Sequence, residues 1–312
     1  MSPLLERLGV ELPVAQAGMG GGLARHELAA AVSEAGGLGT IGLMGADALE
    51  AELRAARGLT GRPVAVNLIV PLATRAHWTA AGAADVVVTH WGSPRRRTAA
   101  PWIHQCGSVE EARAAHAAGA DGVIAQGREA GGHTRAELPA LEVLARIKAA
   151  LPAGYPVLLA GGVADADDLR TALDQVAEAA VLGTRFLMTE ESRAHPGYRQ
   201  RLVEGGTTIL TELWGFGWPG PHRVLPNAAT ERWLARDRRG PAPARLVNAL
   251  TGRMPLPTQV VLQNARLPFL TPHAATDDRP ESALDHAPLY AGETVARIDD
   301  VRPAADVVRG LA

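Results

Sequence analysis

A chain of 312 residues with 31 basic and 33 acidic side chains and a net charge of −2 has room for one large barrel or a domain with an appendage, and lacks the charge excess that marks nucleic-acid or anionic-membrane partners. Its single cysteine, Cys106, excludes an intrachain disulfide and a cysteine-built metal knot; the ten histidines show neither HExxH nor HxH spacing, so no metal is expected. With no basic-then-apolar leader and no run of the ~18 apolar residues a spanning helix needs, no membrane segment is expected and the cytoplasm is the expected location.

The first predicted strand, 13–19, runs into Gly20-Gly21-Gly22 and a helix over 25–35. A strand at 38–43 follows the Gly36-Gly37 stop, and Asp47 is placed to cap a helix that ends near Arg57. The third strand, 63–70, carries Asn67 and precedes a helix around 74–82. The fourth, 85–89, leads to an irregular connection with Arg95-Arg96-Arg97. The fifth, 102–106, is followed by a helix capped by Ser108. The sixth, 122–126, runs into Gln126-Gly127-Arg128-Glu129-Ala130-Gly131-Gly132-His133 and a helix over 137–150. The seventh, 156–162, precedes a helix opened by Asp165, and the eighth covers 179–186. Eight apolar strands alternating with helices predict an α/β TIM (β/α)8 barrel, with a doubly wound open sheet as the alternative. The boundaries expected are a barrel over 1–202, a small, mainly helical insertion rich in Pro, Trp and Arg over 203–287 that covers the substrate, and a closing barrel helix in 288–312.

The carboxyl ends of barrel strands form the working face, and the last two loops commonly bind phosphate. Here Gly161-Gly162 ends strand seven and Gly183-Thr184 ends strand eight, so backbone amides and a hydroxyl can cradle one phosphate; the alternative is a pair of tight turns. With neither a P-loop nor an opening GxGxxG, a mononucleotide fits better than a triphosphate or a tightly held dinucleotide. Asn67 and Gln126 are amides within apolar strands, where they bond either a ligand or a neighbouring strand. Gly18-Met19-Gly20 allows backbone to lie along a ring system. His133, after two glycines, either moves a proton near neutral pH or is an exposed turn residue. The only lysine, Lys148, falls near a helix end, away from the strand termini where Schiff-base chemistry belongs in a barrel.

These motifs, GMGGG, AGGLGTIG, VNL, QGREAGGH, LLAGGVAD and LGTRFLMTEES in that order, resemble those of the nitronate monooxygenase (2-nitropropane dioxygenase-like) flavoproteins over roughly residues 10–200 and the terminal helix. That family also includes FMN-dependent enoyl reductases and NAD(P)H:quinone reductases. The resemblance implies non-covalent FMN, with Gly18 and Met19 beside the flavin, Asn67 and Gln126 bonded to it, Gly131 and Gly132 along its edge, and Gly161, Gly162, Gly183 and Thr184 on its phosphate. It also implies that His133 is the active-site histidine, which takes a proton from a nitroalkane or stabilises the nitronate.

The sequence departs from familiar members at Thr134-Arg135, where relatives commonly carry glycine. Arg95–Arg97 and the Trp214-Gly215-Phe216-Gly217-Trp218 segment match no substrate motif; the arginines read as a solvated loop or an anion contact, the aromatics as a lid or the insertion's own core. His90 and Trp91, ending strand four, are pocket or supporting residues. The expected reaction is FMN-dependent oxidation of alkyl nitronates by O2 to a carbonyl compound and nitrite. The alternatives are NAD(P)H-dependent reduction of an enoyl thioester or quinone, and an idle metabolite-binding barrel.

Overall fold

The computed structural model describes residues 3–214, 220–234, 238–251, 254, 258, 261–266 and 270–312. Eight parallel strands are β1 (Val14–Gln16), β2 (Gly39–Ile41), β3 (Val64–Ile69), β4 (Val86–His90), β5 (Trp102–Cys106), β6 (Gly122–Gln126), β8 (Val157–Ala160) and β9 (Ala180–Leu182), with a short β7 (Gly132–His133) outside their ring. They pair in the order β1-β9-β8-β6-β5-β4-β3-β2. The ring closes because the Leu38 N–H donates to Val14 O and the Gln16 N–H to Leu38 O, both at 2.9 Å. The open-sheet alternative fails on those bonds, and the expected TIM-like barrel stands. Its strands read as apolar runs because both faces are covered, by helices outside and by packed side chains such as Ala65, Ile103, Ile124 and Leu158 inside.

The outer helices begin where local chemistry lets them. Ser108 and Asp165 accept the backbone N–H of Glu111 and Asp168, capping the helices Val109–Ala117 and Ala166–Asp174 as their sequences predict. Asp47 lies inside the helix Ala46–Leu59, whose first flanking residue is Gly45. It serves the helix dipole and makes no cap. The sixth-strand helix starts later than expected, at Ala140, because the Glu129 carboxylate takes the Ala140 N–H at 2.8 Å.

The appendage is more than helix. The strands β10 (Ile209–Thr211), β11 (His222–Leu225) and β12 (Leu289–Tyr290) form a small antiparallel sheet, joined by β7, which pairs with β11 in the register His133↔His222. Segment 288–312 therefore enters through a strand of this sheet before its helix, Ala304–Leu311, docks on the barrel. Trp214 is fully buried with Leu213, Val224, Ala229 and Leu270, and its indole N–H donates to His286 O at 2.8 Å. It is part of the appendage's core; residues 215–218, the rest of the aromatic segment, lie outside the described residues.

Candidate functional site

A cavity of about 860 Å³ opens at the carboxyl ends of the strands, large enough for a mononucleotide and a small second ligand. The eleven residues that the sequence assigns to cofactor and catalysis all line it: Gly18, Met19, Asn67, Gln126, Gly131, Gly132, His133, Gly161, Gly162, Gly183 and Thr184. The reason for glycine is steric at Gly18, where a Cβ would stand 2.1 Å from Asn67 Cβ. At Gly161 and Gly162 it is conformational, since both are left-handed, with φ of 103° and 80°. Thr184 Oγ1 accepts the Gly292 N–H at 2.9 Å, which leaves the hydroxyl proton free to donate.

Gln126 and Asn67 divide differently between the two roles open to them. The Gln126 amide N–H donates to the His133 carbonyl at 2.9 Å, tying the end of β6 to β7, while its Oε1 is buried without a partner among the described residues. The Asn67 side chain faces the cavity. A buried unmatched acceptor costs about 1–3 kcal/mol, so Oε1 of Gln126 marks a place for a ligand's N–H or O–H. Two further atoms share that condition, Glu129 Oε2 and His90 Nε2. Both side chains line the cavity.

The imidazoles of the site are neutral. His133 lines the cavity, and burial lowers its pKa to about 4. Burial depresses His90 and His104 as well, the latter to about 4, with positive neighbours including Arg135 adding to it. His222 is pushed to about 3 by burial; its Nδ1–H donates to Gly220 O at 2.8 Å and its Nε2 accepts the Trp214 N–H at 3.4 Å, so one neutral tautomer is fixed. The His222 ring packs 4.9 Å from that of His133, and Tyr290 packs 5.8 Å away on the same residue. The Tyr290 hydroxyl is spent on Pro272 O at 2.9 Å.

His90, offered from sequence as pocket or support, lies in the cavity wall. The arginine run does not. Arg96 bonds Gly119 O and Asp121 and stacks on Trp102, and Arg97 stacks on Trp78, so these two brace the β4–β5 connection. Sequence reasoning missed the appendage's contribution, His273, Arg279, Tyr290, Gly292 and Thr294. The apolar-then-glycine pattern of Leu289-Tyr290-Ala291-Gly292 was the available signal; only the β12–β11 pairing brings it to the mouth.

The sequence matches the nitronate monooxygenase family over residues 1–105 and 83–312. It is 31% identical to a nitronate monooxygenase of Pseudomonas aeruginosa, over 97% of this chain and 96% of the relative. It is 29% identical to the (3aS,4S,5R,7aS)-5-hydroxy-7a-methyl-1-oxo-octahydro-1H-indene-4-carboxyl-CoA dehydrogenase of Mycobacterium tuberculosis, over 99% and 94% of the two chains. Among solved structures, FabK from Thermotoga maritima superposes with a TM-score of 0.79 at 26% identity, covering 100% of this chain and 94% of the other. The nitroalkane oxidase from Streptomyces ansochromogenes does so with 0.78 at 30% identity, covering 99% and 96%. With its closed barrel, its glycine-lined cavity and its histidine at the end of QGREAGGH, the chain belongs to the nitronate monooxygenase family of oxidoreductases.

Proposed function

We propose that the cavity binds FMN and that the protein oxidises alkyl nitronates with O2 to a carbonyl compound and nitrite. The residues fit that cofactor: Gly161, Gly162, Gly183 and Thr184 offer backbone N–H groups and a hydroxyl for its phosphate, Gly18 and Met19 an unobstructed backbone edge, Gln126 a spare acceptor and Asn67 an amide. When bound, FMN supplies the redox chemistry, accepting electrons from the substrate and passing them to O2.

The observation that carries the reading is the imidazole of His133 in the wall of a glycine-lined cavity, where burial lowers its pKa. With a pKa near 4, His133 is a poor base toward a neutral nitroalkane, but its N–H can hydrogen-bond and orient an oxygen of a nitronate, which arrives without the proton. This favours nitronates over their parent nitroalkanes as substrates. In the anaerobic protein, ethylnitronate is expected to bleach or redden the flavin within the mixing time. An unchanged spectrum at saturating nitronate sinks the reading.

The likeness to FabK and to a CoA-thioester dehydrogenase supports a second reading, an NAD(P)H-dependent FMN reductase of an enoyl thioester or quinone. The same anaerobic experiment separates the two, because rapid reduction by NADH or NADPH with no response to nitronate selects the second.

A further inference from the structure

Where the loop after β1 meets the appendage, the cavity rim carries two arginines that the cofactor reading leaves unused. Arg25 closes the loop just before the helix His26–Glu34, Arg279 comes from the appendage, and both line the cavity. Glycines bring the two segments together. A Cβ on Gly21 would stand 3.3 Å from the Ala274 N, and one on Gly22 would stand 3.4 Å from Thr276 Cγ2 and 3.8 Å from Arg25 Nη2; both glycines are left-handed, with φ of 70° and 89°. The last two glycines of GMGGG thus serve this rim. Its appendage side is firmly built: the His195 N–H donates to Ala275 O and the Asp277 N–H to Arg193 O, each at 2.9 Å, and the Arg193 guanidinium pairs with Asp277 at 2.7 Å. The Tyr290 hydroxyl bonds Pro272 O, so one aromatic side chain, packed on His133, links the imidazole to this segment.

The other polar side chains of the rim are spent on neighbours. Thr276 donates its hydroxyl to Asp278 Oδ1 at 2.6 Å, and His77 bonds Met44 O through Nε2 and Thr74 through Nδ1. The guanidiniums are the exception. Arg279 uses Nη1 alone, on His273 O at 3.4 Å and Ala274 O at 3.2 Å, and pairs with no carboxylate among the described residues. Its Nε and Nη2 are left, the parallel pair of donors that takes both oxygens of a carboxylate. Arg25 Nη1 stands 3.9 Å from Glu52 Oε1, beyond hydrogen-bond reach, while Glu52 Oε2 is committed to His26 through its N–H at 2.9 Å and its ring at 2.6 Å. Arg25 Nε has no hydrogen-bond partner among the described residues. Partly desolvated cations without a close counter-ion carry a cost that an incoming anion relieves. Among the described residues on this rim, two guanidiniums face the one carboxylate of Asp278, and the excess of one positive charge matches a carboxylate better than a doubly charged phosphate.

We propose that this rim is a second anion site, with Arg279 as its principal donor and Arg25 as its second, which binds a carboxylate at the end of the substrate remote from the group that meets His133. With the reacting group at His133, as the proposed function requires, the substrate is then a small bifunctional acid, and Arg279 is the residue that selects it by the charge of its tail.

The probes are 4-nitrobutanoate and its methyl ester, which share a backbone and differ in the charge of the tail, and whose neutral nitro group His133 is a poor base to deprotonate. Their dissociation constants are read anaerobically in the FMN-loaded protein from the flavin's visible spectrum, and by ligand-detected NMR as a readout that does not use the flavin. Wild type is expected to prefer the acid about tenfold. Arg279→Gln and Arg279→Met should cut that ratio to about twofold or less, Arg25→Gln to about fourfold and Arg279→Lys to about fivefold. A general loosening of the rim weakens acid and ester alike and leaves the ratio where it was. Equal affinity for acid and ester in wild type, or a wild-type ratio in Arg279→Gln at equal FMN content, overturns the proposal; tighter binding of 4-nitrobutyl phosphate than of the acid overturns the choice of carboxylate. Should Arg279→Gln fail to fold, Asp278→Asn decides by itself: it keeps an acceptor for Thr276, removes the opposing charge and is expected to widen the ratio about twofold, and a narrower ratio overturns the proposal. An acid preference that follows Arg279 in a protein inert to every nitronate removes the reaction reading only; nitronate turnover without any acid preference removes the anion site only.

Discussion

At the scale of single residues, His133 and Gly18 make the sharpest predictions. His133→Gln keeps a hydrogen-bonding side chain and loses the imidazole; kcat/KM for ethylnitronate is expected to fall about 10²-fold or more, with FMN content, read by visible absorbance, unchanged. Gly18→Ala tests packing, because its Cβ would stand 2.1 Å from Asn67 Cβ and Asn67 belongs to a central strand. It is expected to cost about 1–3 kcal/mol in urea denaturation and to weaken FMN binding. These residues are legible in the sequence since each one's chemistry is written in its immediate neighbours: glycines flank a histidine, amides interrupt apolar runs. His273 and Arg279 are not legible, because nothing local to them mentions a cavity, and Tyr290 is so only through a short apolar-then-glycine pattern whose place depends on the β12–β11 pairing.

At the scale of elements, strand periodicity carries all eight barrel strands, whose fully covered apolar faces leave a strong signal. It misses β7, β10, β11 and β12, of two to four residues, which are not set in the long apolar runs alternating with helices that mark the barrel strands. Their pairing is fastened by a side chain as well as by backbone. Arg223 of β11 is nearly buried, donating to Arg128 O through Nε at 3.1 Å and Nη2 at 2.8 Å and pairing with Glu293 Oε1 at 3.1 Å. Arg223→Met leaves the Arg128 carbonyl without these donors and is expected to destabilise by about 2–4 kcal/mol. Chemical denaturation measures it, and the loss should appear in kcat/KM too, since Arg128 belongs to the segment that presents His133.

For the whole molecule, the buried histidines set the response to acid. His104 and His133 titrate near 4 when folded, His90 well below its usual value, and the usual value is 6.5. Between about pH 6.5 and 4 the unfolded chain therefore binds more protons than the folded one, so stability is expected to be full above that window and to fall as the pH drops through it. Melting temperatures at constant ionic strength check this; a flat profile from pH 7 to 4.5 would contradict the neutral wall. No helix among the described residues is long and apolar enough to cross a membrane. The pairing of β7 with β11 has one more consequence. The imidazole-bearing strand takes its cross-strand partner from the appendage, as the His133↔His222 register shows, and the Thr134 N–H donates to Pro221 O at 2.9 Å. A chain cut back to the eight-strand ring would keep the scaffold and forfeit the alignment of its reactive side chain, so exchanging the appendage between relatives amounts to re-aiming the histidine, and chimeras should inherit their turnover from the donor of that sheet.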